Sequence, residues 1–73
     1  MAKQEIERLQ QKETSAVLSL KQDTTKENAI NCLYHHHKVL FAMEQYTLIT
    51  AELINKQKQL IRDMIELIKK IDI

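Results

Sequence analysis

Apolar residues recur at helical spacing along most of the chain, and this pattern predicts an all-α fold. The first segment carries five apolar residues that fall on one face of a helix: Ile6, Leu9, Ala16, Val17 and Leu20. Glu13 interrupts that otherwise apolar face. We therefore predict a first helix over residues 2–21.

The apolar pattern stops between Lys21 and Thr25, where a turn is expected. Thr24 is followed three residues later by Glu27, which matches a capping box: the threonine oxygen accepts a backbone N–H in the first helical turn. Asp23 is a competing cap one residue earlier. The sequence thus predicts a turn over 22–24 and a second helix that begins at residue 25.

Glycine and proline are both absent, and no residue after position 25 is a strong helix breaker. We therefore predict one long second helix over 25–72, roughly 48 residues and about 70 Å in length. A break near Asn55, which would give a compact three-helix bundle, is the alternative. In either form the chain, 1–73, is predicted to be a single helical domain.

The predicted long helix carries apolar residues at alternating spacings of four and three, which is the pattern of a coiled-coil seam. A second apolar row widens the stripe beyond what two strands need, and this favours a bundle of three or four helices. Thr50 and Gln57 are polar seam positions that either set the register or are tolerated at partly exposed sites. The candidate interaction seam comprises Val39, Met43, Tyr46, Leu53, Ile54, Leu60, Ile61, Met64, Leu67, Ile68 and Ile71.

A first helix of about 20 residues can cover only about 30 Å of the second, so the stripe from Tyr46 to Ile71 would lack a partner within the chain. An exposed stripe of that length promotes aggregation. We therefore expect a helical hairpin with a short first and a long second helix, associating into a coiled-coil-like helical bundle. Its partner is a second copy, as a homodimer or higher oligomer such as a four-helix bundle, or another helical protein.

Composition narrows the function classes. Without glycine the chain cannot form the phosphate-binding loops of P-loop or Rossmann proteins. Eleven Lys and Arg against ten Asp and Glu leave a net charge of +1 without a basic tail, which makes a nucleic-acid partner unlikely. The chain shows neither an apolar run long enough for a membrane span nor a secretory-signal pattern, so we expect a cytoplasmic protein that does not bind membranes.

Three consecutive histidines, His35 to His37, point about 100° apart on a helix and cannot converge on one metal. Cys32 and His36 are better spaced, and a twofold axis could complete a Cys₂His₂ zinc site between two copies. The alternative is a buried thiol beside a partly buried seam histidine. Cysteine-histidine catalysis lacks an orienting acid, since Glu27 lies on a different face. We expect no enzyme activity, metal, cofactor or small-molecule substrate.

The opening segment, Met1 to Glu5, and the two-helix layout resemble the small plasmid-encoded RNA-binding hairpins that control copy number, which dimerise into four-helix bundles. That family presents a basic face on its first helix. Here Glu5, Glu7 and Glu13 offset the cations of that helix, so no RNA-binding residue is carried over.

An RNA-binding dimeric hairpin is the alternative function. It needs aromatic platforms for bases and a basic groove for phosphates. The aromatic residues are Tyr34, Phe41 and Tyr46, and we expect two of the three to lie in the core. The groove would have to form around Lys56, Lys58 and Arg62, doubled by a second copy.

Overall fold

The computed structural model describes residues 3–46 and 48–71 and contains three helices in that part of the chain. They are α1 (Lys3–Gln22), α2 (Lys26–Gln45) and α3 (Ala51–Ile71). α2 packs directly against both neighbours, whereas α1 and α3 approach each other only through side chains. The described residues measure 40 × 19 × 13 Å. The predicted helix ends at Ala2 and Asp72 lie outside them.

The prediction of one long second helix is wrong, because the chain leaves the helix after Gln45. Tyr46 adopts an extended conformation, and its backbone N–H donates to the carbonyl of Met43. Thr50 then opens α3, since its hydroxyl oxygen accepts the backbone N–H of Leu53 at 3.3 Å. β-branched residues such as Ile49 and Thr50 are weak helix formers, and threonine is a favoured N-cap.

Folding back at this break changes the fold from a hairpin to an open three-helix bundle. The alternative with a break is therefore closer to the structure, although the break precedes Asn55, which lies inside α3. The C-terminal stripe that was expected to overhang now packs along α1 and α2. Most of the stripe is therefore covered within the chain, and its burial does not require a second copy.

Two threonine side chains make hydrogen bonds at the turn between α1 and α2. Thr25, rather than Thr24 or Asp23, is the N-cap of α2, because its hydroxyl oxygen accepts the backbone N–H of Asn28 at 3.1 Å. Thr24 instead donates to the carbonyl of Leu20 and so closes the end of α1. The predicted capping box is thus wrong by one residue, and the turn lies between Gln22 and Lys26, one residue later than the predicted 22–24.

Small residues bring α1 and α2 close together. Ala16 faces Ala29 in a buried cluster that also contains Leu20 and Cys32. Small side chains permit close approach of two helix backbones, and longer side chains from the third helix then cover the contact. The residues that pack onto this cluster are Val17, Met64, Leu67, Ile68 and Ile71.

Candidate interaction surface and buried polar network

A polar network lies where the three helices meet, with one member from each helix. Glu13 comes from α1, His36 from α2 and Gln57 from α3. His36 Nδ1 lies 2.6 Å from Glu13 Oε2, and Gln57 Nε2 donates to the same oxygen at 2.6 Å. Gln57 Nε2 also donates to the backbone carbonyl of His36 at 3.0 Å. Because His36 and Gln57 are only 2% and 4% exposed, these bonds form in the core.

The network fixes which way the histidine ring faces. A carboxylate only accepts hydrogen bonds, so Nδ1 of His36 carries the proton that points to Glu13. In the neutral imidazole the other ring nitrogen, Nε2, is then the acceptor, and it lies 3.4 Å from Cys32 Sγ. Thiol, imidazole, carboxylate and amide therefore satisfy one another, which is how buried polar groups avoid a desolvation penalty.

Cys32, His36 and Glu13 follow the order of nucleophile, base and orienting acid in cysteine hydrolases. The expectation that no acid reaches the histidine is therefore wrong: Glu13, 23 residues away in sequence, supplies it. The thiol, however, is fully buried, and burial, followed by the charge of Glu13, raises its pKa. An activated cysteine needs the opposite, a lowered pKa and an open approach.

The same burial determines whether two copies can share a zinc site at Cys32 and His36. Cys32 and His36 point into the core of their own chain, so a second copy cannot reach them while the bundle is closed. The two nitrogens of His36 also face opposite neighbours. Among residues 3–46 and 48–71, no group of three or more His, Cys, Asp or Glu side chains could hold a metal ion.

The predicted interaction seam is divided by the break and lies in three environments. Val39, Met43 and Ile61 are buried in the core. Leu53 and Leu60 are each 44% exposed. The remaining members are partly buried: Tyr46, Ile54, Met64, Leu67, Ile68 and Ile71.

Leu60 also lines an apolar groove between α1 and α3, with a volume of ≈ 280 Å³. Val17 of α1 and Met64 of α3 form its walls, and Glu13 and His36 of the polar network border it. The groove exists because α1 and α3 are held apart by α2. It therefore marks the open side of the bundle.

A second apolar surface lies on α2, on the side away from its buried residues. Ile30, Tyr34 and Phe41 are 48%, 54% and 63% exposed. Their spacings of four and seven place them on one face of the helix, which we call the outer face of α2. The expectation that two of the three aromatic residues lie in the core is wrong, since Tyr34 and Phe41 are both exposed.

The outer face of α2 borders a groove between α1 and α2 with a volume of ≈ 480 Å³. Leu9 of α1 and Ala42 of α2 contribute apolar surface between the exposed rings of Tyr34 and Phe41. Its cations are Arg8 and Lys12 from α1 and Lys38 from α2, and Glu5 is the acid.

Two of these four charged groups neutralise each other. One guanidinium nitrogen of Arg8, Nη2, donates to both carboxylate oxygens of Glu5 on the same helix. Lys38 places its ammonium 5.2 Å from the centre of the Tyr34 ring, a cation–π contact. Among the described residues, no carboxylate lies within ion-pair distance of Lys12 or Lys38, so the groove keeps a positive charge on each wall.

The basic groove proposed for RNA on α3 is not a single surface. Lys56 and Lys58 are two residues apart, so their side chains leave the helix about 200° apart. Lys56 lies 3.6 Å from the carboxylate of Glu52, and Arg62 donates to the side chain of Gln59. The unneutralised cations that lie beside exposed aromatic rings are those of the α1/α2 groove instead.

Each member of the network corresponds to a recognisable feature of the sequence. Glu13, His36 and Gln57 are polar residues on otherwise apolar helical faces. Single interruptions of this kind indicate a buried polar contact when they occur on several helices at once. The outer face of α2 is harder to predict from the sequence, because its apolar residues alternate along the chain with the apolar residues that pack inside.

In the part of the chain that the structure describes, no helix is both long and apolar enough to cross a membrane. Comparison of the chain with protein-family models, curated proteins and solved structures finds no match.

Proposed function

We propose that the protein is a non-catalytic helical interaction module, and that its docking surface is the outer face of α2. The observation that supports this most directly is the exposure of Phe41, 63% of whose surface is free although it lies on the helix at the centre of the bundle. Large apolar side chains that form a stripe on a small domain are typical of interaction sites.

The spacing of the stripe supports a helical partner. Ile30, Tyr34 and Phe41 occupy positions i, i+4 and i+11 of one helix, and residues at such positions contact a second helix lying alongside. The core is closed without them by the opposite face of α2, which includes Val39 and Met43. These three side chains are therefore free to contact a partner, and the fold does not depend on burying them.

A non-catalytic role agrees with the environment of the Cys32–His36 pair. Cys32 has a raised pKa and is covered on all sides, and its hydrogen-bond partner His36 is already engaged by Glu13. Such a network stabilises one arrangement of three helices. We assign it this structural role.

Site-specific photo-crosslinking in the cells that make the protein tests the proposal. A benzophenone amino acid replaces Phe41, and in a matched variant it replaces Leu18, which is 53% exposed on α1. We expect a protein adduct from position 41 and none from position 18. The mass of the adduct separates a second copy from a different protein. Equal labelling from both positions, or none from position 41, would contradict the proposal.

The same experiment tests the candidate seam when the benzophenone amino acid replaces Leu60, one of the two exposed residues of the seam. An adduct from position 60 in place of position 41 would move the docking surface to the groove between α1 and α3. Because both residues are large, apolar and exposed, their yields can be compared directly. This arm distinguishes the two apolar surfaces of the bundle.

Nucleic-acid binding is the second candidate function, and the exposed rings of Tyr34 and Phe41 beside Lys12 and Lys38 favour it. Base stacking on aromatic rings with lysines near the phosphates is a common mode of single-strand binding. An adduct from position 41 that is sensitive to nuclease would support this candidate. Its affinity for an oligonucleotide should also fall steeply with salt, whereas apolar helix docking responds weakly.

A further inference from the structure

The groove between α1 and α2 has the charge and shape to select among helical partners. Its apolar lining comes from Leu9, Ala42 and the rings of Tyr34 and Phe41. Its lining runs along α1 from Glu5 to Lys12, about 10 Å or two helical turns. That length suits a short contact with one helix.

The net charge of the groove determines which charge a partner helix must carry. Arg8 is already neutralised by Glu5, so the charge left to a partner comes from Lys12 on α1 and Lys38 on α2. These two lysines belong to opposite walls. A helix lying between the walls would therefore meet a cation on each side of its apolar stripe.

We propose that the α1/α2 groove binds an acidic amphipathic helix of a partner protein. This helix inserts a leucine or aromatic residue between Tyr34 and Phe41 and carries carboxylates on both flanks of its apolar stripe, one for Lys12 and one for Lys38. The inference rests on the proposed function and names the partner's chemistry. Complementary charge at the rim of an apolar contact gives orientation and specificity.

Two other occupants fit the groove less well. Twofold pairing of the outer α2 faces of two copies would place two identical grooves together, each with the cations Lys12 and Lys38 and neither with a free carboxylate for them, and like charges repel. A single-stranded nucleic acid needs a longer cationic track than two lysines, and the ammonium of Lys38 already lies over the Tyr34 ring.

The test uses the full chain and two synthetic peptides of three heptads. Both carry leucine at positions a and d, one with glutamate and the other with lysine at e and g, so that like charges keep each peptide from self-associating. Fluorescence anisotropy measures the Kd. Amide chemical shifts locate the contact, and we expect them to move at Tyr34, Lys38 and Phe41 with the acidic peptide. The acidic peptide should bind at least tenfold more tightly than the basic one.

Substitutions then assign the affinity to the groove. The double variant Lys12→Gln/Lys38→Gln should weaken binding of the acidic peptide by about fivefold, the scale of two exposed ion pairs. The matched double variant Lys21→Gln/Lys58→Gln removes the same charge from other surfaces and should leave the Kd unchanged. Phe41→Gln should weaken binding by about thirtyfold, as expected for a central aromatic anchor.

Several outcomes would overturn the inference. Equal binding of both peptides, or equal loss in the two double-lysine variants, would show that the groove does not select acidic helices. A chain that dimerises through position 41, with the dimer abolished by Phe41→Gln, would assign the groove to a second copy. Tight, salt-sensitive binding of a single-stranded oligonucleotide would assign it to nucleic acid. A protein adduct from position 41 without acidic-peptide binding would leave the proposed function standing and reject this inference alone.

Discussion

The two faces of α2 both carry apolar side chains, but one face is buried and the other is exposed to solvent. The inner face, with Val39 and Met43, is closed off by α1 and α3, and its polar residue His36 is fully hydrogen-bonded. The outer face exposes Tyr34 and Phe41 to solvent. Apolar character alone therefore does not decide which side of a central helix is core. The inner face differs in one respect: its polar residue, His36, is hydrogen-bonded by Glu13 of α1 and Gln57 of α3.

The largest test of this difference is a change within the polar network. Gln57→Glu would place a second carboxylate against Glu13 and remove two donated hydrogen bonds. We expect the free energy of unfolding to fall by about 3 kcal/mol or more, since a buried charge without a partner is costly. Urea unfolding followed by circular dichroism measures it. Gln11→Glu makes the same chemical change at an exposed position of α1, and a comparable loss there would contradict a special role for the network.

The reaction rate of a thiol with one disulfide reagent can be measured on each face of α2. Cys32 is fully buried with a raised pKa, so a disulfide reagent reaches it only when the bundle opens. In a Cys32→Ala background, Phe41→Cys places a thiol on the outer face. We expect that thiol to react at least about 100 times faster than Cys32 in the wild-type chain. Similar rates would show that the inner face opens readily.

Truncation of apolar side chains sharpens the same contrast. Val39→Ala removes two methyl groups from a fully buried site and should lower the free energy of unfolding by about 2 kcal/mol. Phe41→Ala removes a whole ring from the outer face, and we expect a change of less than about 0.5 kcal/mol. Thermal and urea unfolding check both. A larger loss at Phe41 than at Val39 would reverse the assignment of the two faces.

The smallest expected effect is a pH dependence of stability that comes from Cys32. Burial raises the pKa of its thiol in the folded chain, whereas in the unfolded chain the thiol titrates near its ordinary value of 9.0. As the pH rises above 9.0, the unfolded chain loses a proton that the folded chain keeps, so the free energy of unfolding falls. Below that pH both states hold the proton and no effect arises.

Comparison with Cys32→Ala isolates this contribution, because lysine and tyrosine side chains also titrate at alkaline pH. The difference in unfolding free energy between the two proteins should be constant up to about pH 9 and should then change in favour of the alanine variant. A difference that does not vary with pH would show that the thiol is solvated in the folded chain.

The sequence predicted the helical class, and because the apolar spacing ends clearly near Lys21, it placed the first turn within one residue of its position between Gln22 and Lys26. It did not predict the second turn. Without glycine or proline, that turn depends on weak helix formers such as Ile49 and on the capping hydroxyl of Thr50, and either can also lie inside a helix. Only packing of α3 back onto the bundle makes the break favourable.

The buried network and the outer face were predictable to different degrees. Glu13, His36 and Gln57 each interrupt an apolar face, so the sequence contained all three members but not their pairing, which depends on the fold of three helices. The outer face was hidden because α2 is apolar around much of its circumference. Periodicity finds an apolar stripe, and it cannot tell which of two stripes on one helix is covered.

The packing of α2 against both neighbours, without direct backbone contact between α1 and α3, has a kinetic consequence. Helices that are consecutive in sequence make all the backbone contacts, so the chain closes short loops only, and such topologies fold in microseconds to milliseconds. Either helical hairpin, α1 with α2 or α2 with α3, can form first. The hydrogen bond between Glu13 and Gln57 spans 44 residues, and it closes only when the second hairpin docks on the first.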